Sequence, residues 1–270
     1  MKFNNRICVV TGGASGIGAA SAREFARRGA RVVVTDINAE GCEQVAREIG
    51  GIAIPCDVAS ESSVNDLVNQ TEAKLGPIDL FFNNAGVATG ADPLTTPVDV
   101  WQDQWQINVM AHVYAIRAVL PRMLARGEGY LVHTASMAGI LTTLGNLTYA
   151  TTKHAVVGLA EWMSITYHDQ GIRTSLLAPL GVRTPMLGDP ESPFALTSAG
   201  PVKEPEDVAV MVAEAVEAER FLILTDDIAQ TWMDRKSTDL ERWLSGMRRL
   251  NGKAESLNQH QETAQSPSEE

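Results

Sequence analysis

Tyr149 and Lys153 stand four residues apart in the run Tyr149-Ala150-Thr151-Thr152-Lys153, at the start of a helically patterned segment. That spacing puts a phenol and an ammonium on one helix face. A free tyrosine has a pKa near about 10, too high for ready proton acceptance at neutral pH, and a neighbouring cation favours the phenolate. Lys153 is therefore expected to activate Tyr149. Upstream, Ser136 follows the apolar run Gly129–Thr134, where its hydroxyl can orient a substrate oxygen. A tyrosine, a lysine or a serine is commonplace alone. Combined with Asn83-Asn84-Ala85-Gly86 after another strand-like run and Asn108 in a long helical segment, they form an ordered set that chance rarely reproduces.

A second cluster suits a nucleotide. Thr11-Gly12-Gly13-Ala14-Ser15-Gly16-Ile17-Gly18 lies between a strand-like run and a helix, where a phosphate-binding turn must sit. Glycine lets the backbone approach a pyrophosphate, and the helix N-terminus presents free N–H groups. Contacts are expected from Gly12, Ser15, Gly16, Ile17 and Gly18. Asp36 closes the next strand; its carboxylate can accept bonds from an adenosine ribose and would repel a 2′-phosphate. Ala14, Ser15 and Ile37 offer no cation for such a phosphate, so the expectation is NAD rather than NADP. Asp57 and Val58 can bracket an adenine with one polar and one apolar contact.

Positioning these groups requires alternating strands and helices. Strand-like runs fall at Arg6–Thr11, Arg31–Thr35, Gly51–Cys56, Leu80–Asn83, Gly129–Thr134, Arg173–Leu177 and Phe221–Leu224. Helical patterns fall at Gly16–Arg28, Ala39–Ile49, Glu61–Leu75, Val98–Ala125, Tyr149–Asp169 and Pro205–Ala218. This alternation predicts an α/β, Rossmann-type doubly wound parallel sheet of about seven strands with helices on both faces. Residues 1–250 read as one domain. Glycines and prolines between 186 and 204, interspersed with Met186, Leu187, Phe194 and Leu196, suggest a mobile apolar-faced lid. Asp226–Leu250 reads as a final amphipathic segment packed on the body or on a neighbouring subunit. The polar stretch 251–270 is expected to be disordered.

Composition narrows the function classes. Hydrophobic residues make up 44% and charged residues 20% of 270, ordinary globular usage with enough apolar surface for a core. A net charge of −11 opposes binding to nucleic acid or anionic membrane surfaces. The absence of a signal-peptide pattern or an apolar run of membrane-spanning length leads to an expectation of a cytoplasmic protein. Cys8, Cys42 and Cys56 lack metal or redox spacing and read as reduced core thiols. His112, His133 and His154 have no second ligand at metal spacing, so no metal is expected.

Taken together, the chain from about Ile7 to Met186 resembles the classical short-chain dehydrogenase/reductase family. Thr11–Gly18 matches its cofactor turn, Asn83–Gly86 its strand-four motif, and Asn108, Ser136, Tyr149 and Lys153 its catalytic tetrad. The resemblance implies hydride transfer between nicotinamide C4 and a carbinol or carbonyl carbon, with Tyr149 as general acid/base and Ser136 holding the reacting oxygen. It implies that Lys153 also bonds the nicotinamide ribose, and that Asn108 anchors a water linking Lys153 to solvent. Asn84, Ala85, Gly86, Tyr149, Lys153, Pro179, Val182 and Thr184 are the further cofactor contacts it implies. Leu180 departs from the family, which commonly has glycine there. Substrate contacts are expected from Met137, Leu144, Leu180 and Leu187, in an uncharged pocket with Val87, Leu141, Leu147, Met186 and Phe194. That pocket would take a hydrophobic secondary alcohol or its ketone, such as a steroid, terpene, alicyclic or aryl alcohol. Surplus apolar residues on the two long helices, including Trp101, Trp105 and Trp162, suggest a homotetramer or homodimer through a four-helix interface. A sensor or scaffold that binds NAD without turnover is the alternative; it need not retain Ser136, Tyr149 and Lys153. A nucleotide-sugar epimerase or dehydratase would show a TGxxGxxG turn and a larger C-terminal domain.

Overall fold

A computed structural model describes residues 1–187 and 200–265, with side chains described through 256. Its frame is one parallel sheet built from β1 (Ile7–Thr11), β2 (Arg31–Thr35), β3 (Ile52–Ala53), β4 (Leu80–Asn83), β5 (Gly129–Thr134), β6 (Ile172–Ala178) and β7 (Leu222–Leu224). The strand order is β3-β2-β1-β4-β5-β6-β7, and every pairing is parallel. The order reverses between β1 and β4. In such a sheet the crevice outside the carboxyl ends of the strands at that reversal is where ligands bind. The doubly wound seven-stranded architecture expected from the alternation is therefore the one observed.

Ten helices lie among the described residues: α1 (Gly16–Arg27), α2 (Ala39–Ile49), α3 (Glu61–Leu75), α4 (Val98–Trp105), α5 (Ala111–Arg126), α6 (Ala138–Leu141), α7 (Leu147–Tyr167), α8 (Pro205–Glu217), α9 (Asp227–Thr238) and α10 (Leu240–Gln265). Alternate strand residues feed opposite cores. Cys8, Val10, Val32, Val34 and Phe82 pack with Phe25 of α1, Val45 of α2 and Val212 of α8. Val9, Val33, Phe81 and Leu131 pack with Leu67 of α3, Val119 of α5 and Met163 of α7. A sheet covered on both faces buries both sets of side chains, hence the near-continuous apolar strands. Asn38, Ser60 and Asn146 cap α2, α3 and α7 by accepting the N–H of Gly41, Ser63 and Tyr149.

Several boundaries differ from the sequence expectation. The helix expected over Val98–Ala125 is interrupted by a π-turn at Gln106–Met110. β3 is only two residues long because Pro55 has no N–H to donate, although Ile54 and Cys56 still bond back to Val34 and Asp36. The C-terminal segment is two helices. Asp239 breaks them with an extended backbone, and its carboxylate accepts the N–H of Arg242 to start α10. The stretch from 251, expected to be disordered, is helical as far as Gln265. A nucleated helix propagates through straight-chain residues without needing a new core, and no proline intervenes before Pro267. The expected lid falls mostly on 188–199, outside the described residues. No helix among the described residues is long and apolar enough to cross a membrane.

Under the sheet's active edge, His112 of α5 and His133 of β5 share an Nδ1–Nδ1 hydrogen bond of 2.9 Å, with both rings fully buried. Neither Nε2 has a partner among the described residues. Burial depresses both imidazoles, His133 to about 3, and His112 is pushed down further by His133 and Lys153. Unfolded histidines protonate near pH ~6.5, so below that pH the unfolded chain binds more protons and stability falls. The thermal midpoint is expected to drop as pH is lowered from about 6.5 toward 3, and His112→Leu/His133→Leu to show a shallower drop. An equally steep decline in the double variant, read by circular dichroism, would assign the acid lability elsewhere.

Candidate active site

One cavity of about 1710 Å³ opens at the reversal between β1 and β4. Its floor is organised by the Thr11 hydroxyl, which donates to Phe82 O and accepts the N–H groups of Asn84 and Ala85. Asn84 returns its amide to Thr11 O at 3.0 Å and accepts from the Thr134 hydroxyl. Thr134 O in turn accepts from Lys153 Nζ at 2.8 Å. Three strands and α7 are thus joined by one run of bonds.

The glycine turn forms one end. Gly12 and Gly16 have positive φ of 64° and 51°. A Cβ on Gly18 would lie 2.0 Å from Gly12 O, so the turn closes only with glycine there. Ser15 makes no side-chain cap to α1, which leaves the first N–H groups of that helix available to an anion. Asp36 accepts the N–H groups of Ala14 and Asn38, which holds its carboxylate beside the turn. These features fit a dinucleotide: a cradle that side chains would fill, uncapped donors for phosphate and a carboxylate for ribose.

At the other end Ser136 and Tyr149 both line the cavity, each only partly buried. The Ser136 Oγ also accepts the N–H of Ala138 and donates to Pro179 O. Lys153 is 2% exposed, and burial lowers its pKa to about 8. Its Nζ lies 5.7 Å from the centre of the Tyr149 ring. Burial raises the Tyr149 pKa, opposed by the bond from Ser136. Desolvation of the phenolate is the larger of these two effects. Asn108 sits in the π-turn, where it accepts from Val87 N, donates to Val87 O and reaches the Thr152 hydroxyl. Such turns add a residue to a helix and re-aim a side chain, often at functional sites.

Gly12, Ser15, Gly16, Ile17, Asp36, Ile37, Asp57, Val58, Asn84, Ala85, Gly86, Ser136, Met137, Leu144, Tyr149, Lys153, Pro179, Leu180, Val182, Thr184 and Leu187 all line this cavity. Gly18 and Asn108 are buried behind it. Val87, Leu141 and Met186 also line it; Leu147 does not, and Phe194 lies outside the described residues. Met137 is 3% exposed and packs with Leu141, Leu180 and Trp232, so it shapes the wall more than it presents a surface.

The expectation of an uncharged pocket is corrected here. One face each of α9 and α10 walls the cavity with Trp232, Trp243 and Met247, and with Arg235, Arg242, Arg249, Asp234 and Asp239. Sequence reasoning saw the apolar spacing of this segment but assigned it to general packing. The available signal was three arginines at intervals of seven, on the same stripe as the tryptophans and methionine. Among the described residues no cluster of three or more histidine, cysteine or acidic side chains could hold a metal ion.

Residues 6–193 match the family model for short chain dehydrogenase. The chain belongs to that family and is an oxidoreductase of the short-chain dehydrogenase type. A 1-deoxy-11-beta-hydroxypentalenate dehydrogenase of Streptomyces exfoliatus is 34% identical over 253 residues, covering 91% of this chain and 92% of the relative. A cyclohexanol dehydrogenase of Acinetobacter sp. is 33% identical over 222 residues, 78% of this chain and 88% of the relative. Among solved structures, a short chain dehydrogenase/reductase from Burkholderia phymatum in complex with NAD is similar at a TM-score of 0.82 and 27% identity. That likeness covers 89% of this chain and 96% of the other.

Gly18→Ala should disturb the turn while leaving the sheet intact, since the added Cβ meets backbone rather than a flexible side chain. The expected result is at least a roughly tenfold loss of NADH affinity by fluorescence titration, with far-ultraviolet circular dichroism unchanged. Undiminished affinity would remove this glycine from the cofactor cradle.

Proposed function

We propose that the protein is an NAD-dependent dehydrogenase that interconverts a hydrophobic secondary alcohol and its ketone. The observation that carries this reading is that Ser136, Tyr149 and the buried Lys153 line the same cavity as the glycine turn and Asp36. NAD, when bound, supplies a hydride acceptor at nicotinamide C4. Ser136 and Tyr149 hold the alcohol oxygen. In the oxidising direction Tyr149, as its phenolate, takes the hydroxyl proton and becomes the neutral phenol as the C–O bond becomes C=O and the carbinol hydrogen leaves with its electron pair; in the reducing direction the neutral phenol gives that proton to the carbonyl oxygen. Lys153, fixed by Thr134 O, keeps a positive charge near Tyr149 that favours its phenolate form. Asn108 holds the backbone at Val87 beside the helix that carries Tyr149 and Lys153. Proton exchange with solvent through a water at Asn108 belongs to the same reading.

The choice of NAD over NADP rests on Asp36 at the end of β2 and on Ile37, 77% exposed with no cation to meet an added phosphate. The apolar wall of Met137, Leu141, Leu144, Leu180 and Leu187 supports a hydrophobic substrate body. We also propose that the chain forms a homotetramer or homodimer through α5 and α7. Trp162 and Ile165 of α7 are 57% and 83% exposed, more apolar surface than a solvated helix face favours. Light scattering is expected to give two or four chains per particle, and a monomer would reject the assembly. Three buried free cysteines suit a reducing compartment, and we assign the protein to the cytoplasm.

Activity is tested by nicotinamide absorbance across a panel of secondary alcohols that includes cyclohexanol, run with NAD and NADP. Turnover with NAD is expected. Tyr149→Phe should lose roughly 10²–10⁴-fold in kcat, the range for a positioned acid/base, while NAD affinity is retained. Bound NAD with no turnover of any alcohol or ketone would instead favour a binding protein without catalysis.

A further inference from the structure

The wall formed by α9 and α10 carries charge that hydride transfer does not use. Arg235 and Arg242 both line the cavity, and among the described residues neither guanidinium has an ion-pair or hydrogen-bond partner. Arg249, two helical turns beyond Arg242, bonds only to the Ser245 hydroxyl. The acids on the same wall are engaged elsewhere: Asp239 accepts the N–H of Arg242 as the cap of α10, and Asp234 accepts from Gln230. The Trp243 indole N–H, next to Arg242, is buried without an acceptor. The wall is therefore rich in uncommitted donors.

This wall is fixed relative to the reacting groups. Lys236, adjacent to Arg235, donates to Ile140 O in α6, the short helix that follows Ser136 and Met137. Trp232 and Trp243 pack against the cluster of Met137, Leu141 and Ala178. The same cavity is lined by Met137, Leu141, Leu144, Leu180, Trp232 and Trp243. A chain of net charge −11 does not draw anions by its overall field, so an anionic ligand would have to be selected by a local site.

We propose that the substrate carries a carboxylate at the end away from its hydroxyl carbon, bound by Arg235 and Arg242. The inference rests on the dehydrogenase reading and makes it more specific: a hydrophobic hydroxy acid rather than a neutral alcohol. Guanidinium binds carboxylate through paired N–H groups, and these charge-assisted bonds are about twice as strong as neutral ones. With the acid held, the apolar wall carries the substrate body and the carbinol is delivered to Ser136 and Tyr149.

The test compares 4-hydroxycyclohexanecarboxylate with 4-hydroxycyclohexanecarboxamide, nearly equal in shape, at saturating NAD. The wild-type protein is expected to favour the acid by roughly tenfold or more in kcat/KM, chiefly through KM, with the gap narrowing as salt is added. In Arg235→Gln/Arg242→Gln the ratio should fall toward one. Equal use of acid and amide by the wild type, or a preference that survives the double substitution, overturns the inference and leaves the dehydrogenase reading standing. Loss of NADH affinity in the double variant without loss of acid preference assigns the arginines to the cofactor and likewise overturns it. If neither alcohol is turned over, quenching of tryptophan fluorescence by cyclohexanecarboxylate and by cyclohexanecarboxamide decides the matter separately. Tighter binding of the acid that disappears in the double variant supports the inference; equal binding rejects it.

Discussion

The Thr11 hydroxyl, bonded to three backbone groups at the reversal between β1 and β4, is the joint from which the rest of the site is built. Parallel strands that diverge at a reversal leave backbone groups facing a crevice, and each one buried without a partner costs about 1–3 kcal/mol. Thr11 satisfies them while keeping the crevice open. The bonds continue through Asn84 to Thr134 and on to Lys153, so the spacing between glycine turn and catalytic helix follows from the sheet itself. Chemistry that needs substrate and cofactor within contact range gains from such a rigid base.

Burial gives Lys153 and Tyr149 their character. Lys153 loses hydration on burial, which brings its pKa down to about 8, while its ammonium keeps one acceptor in Thr134 O. The same desolvation pushes the Tyr149 pKa up, with Ser136 opposing it. Behind them His112 and His133 are neutral and bonded to each other, so no second cation crowds Lys153 from the core. A low local dielectric makes every one of these polar contacts count for more than it would in water.

The C-terminal helices answer a different demand. The sheet and its glycine turn form one end of the cavity and leave another of its sides to be closed. α9 and α10 supply that side, anchored by aromatic packing on the residues after Ser136, with polar side chains on the remaining positions of the same faces. This wall is tied to the body by that packing and by the Lys236 bond to Ile140 O, at a distance from the bonds made by Thr11. This is the usual division between a scaffold and the segments grafted on it.

Much of the molecule could be read from the chain. Alternating apolar runs and helical periods, with glycines at the turns, define the strand count and the doubly wound layout because secondary structure and burial are set largely by local patterns. The glycine turn, Asp36, Ser136, Tyr149 and Lys153 were legible for the same reason: each lies at the end of a strand or on the first turns of a helix. The break at Asp239, the π-turn that aims Asn108 and the helix beyond residue 250 were not, since each depends on a marginal balance that local composition barely shifts. The sequence by itself determined the fold class and the order of the chemical groups, through periodicity and spacing. Only the tertiary structure decided that Arg235 and Arg242 share a cavity with Tyr149, because residues so distant along the chain meet through packing.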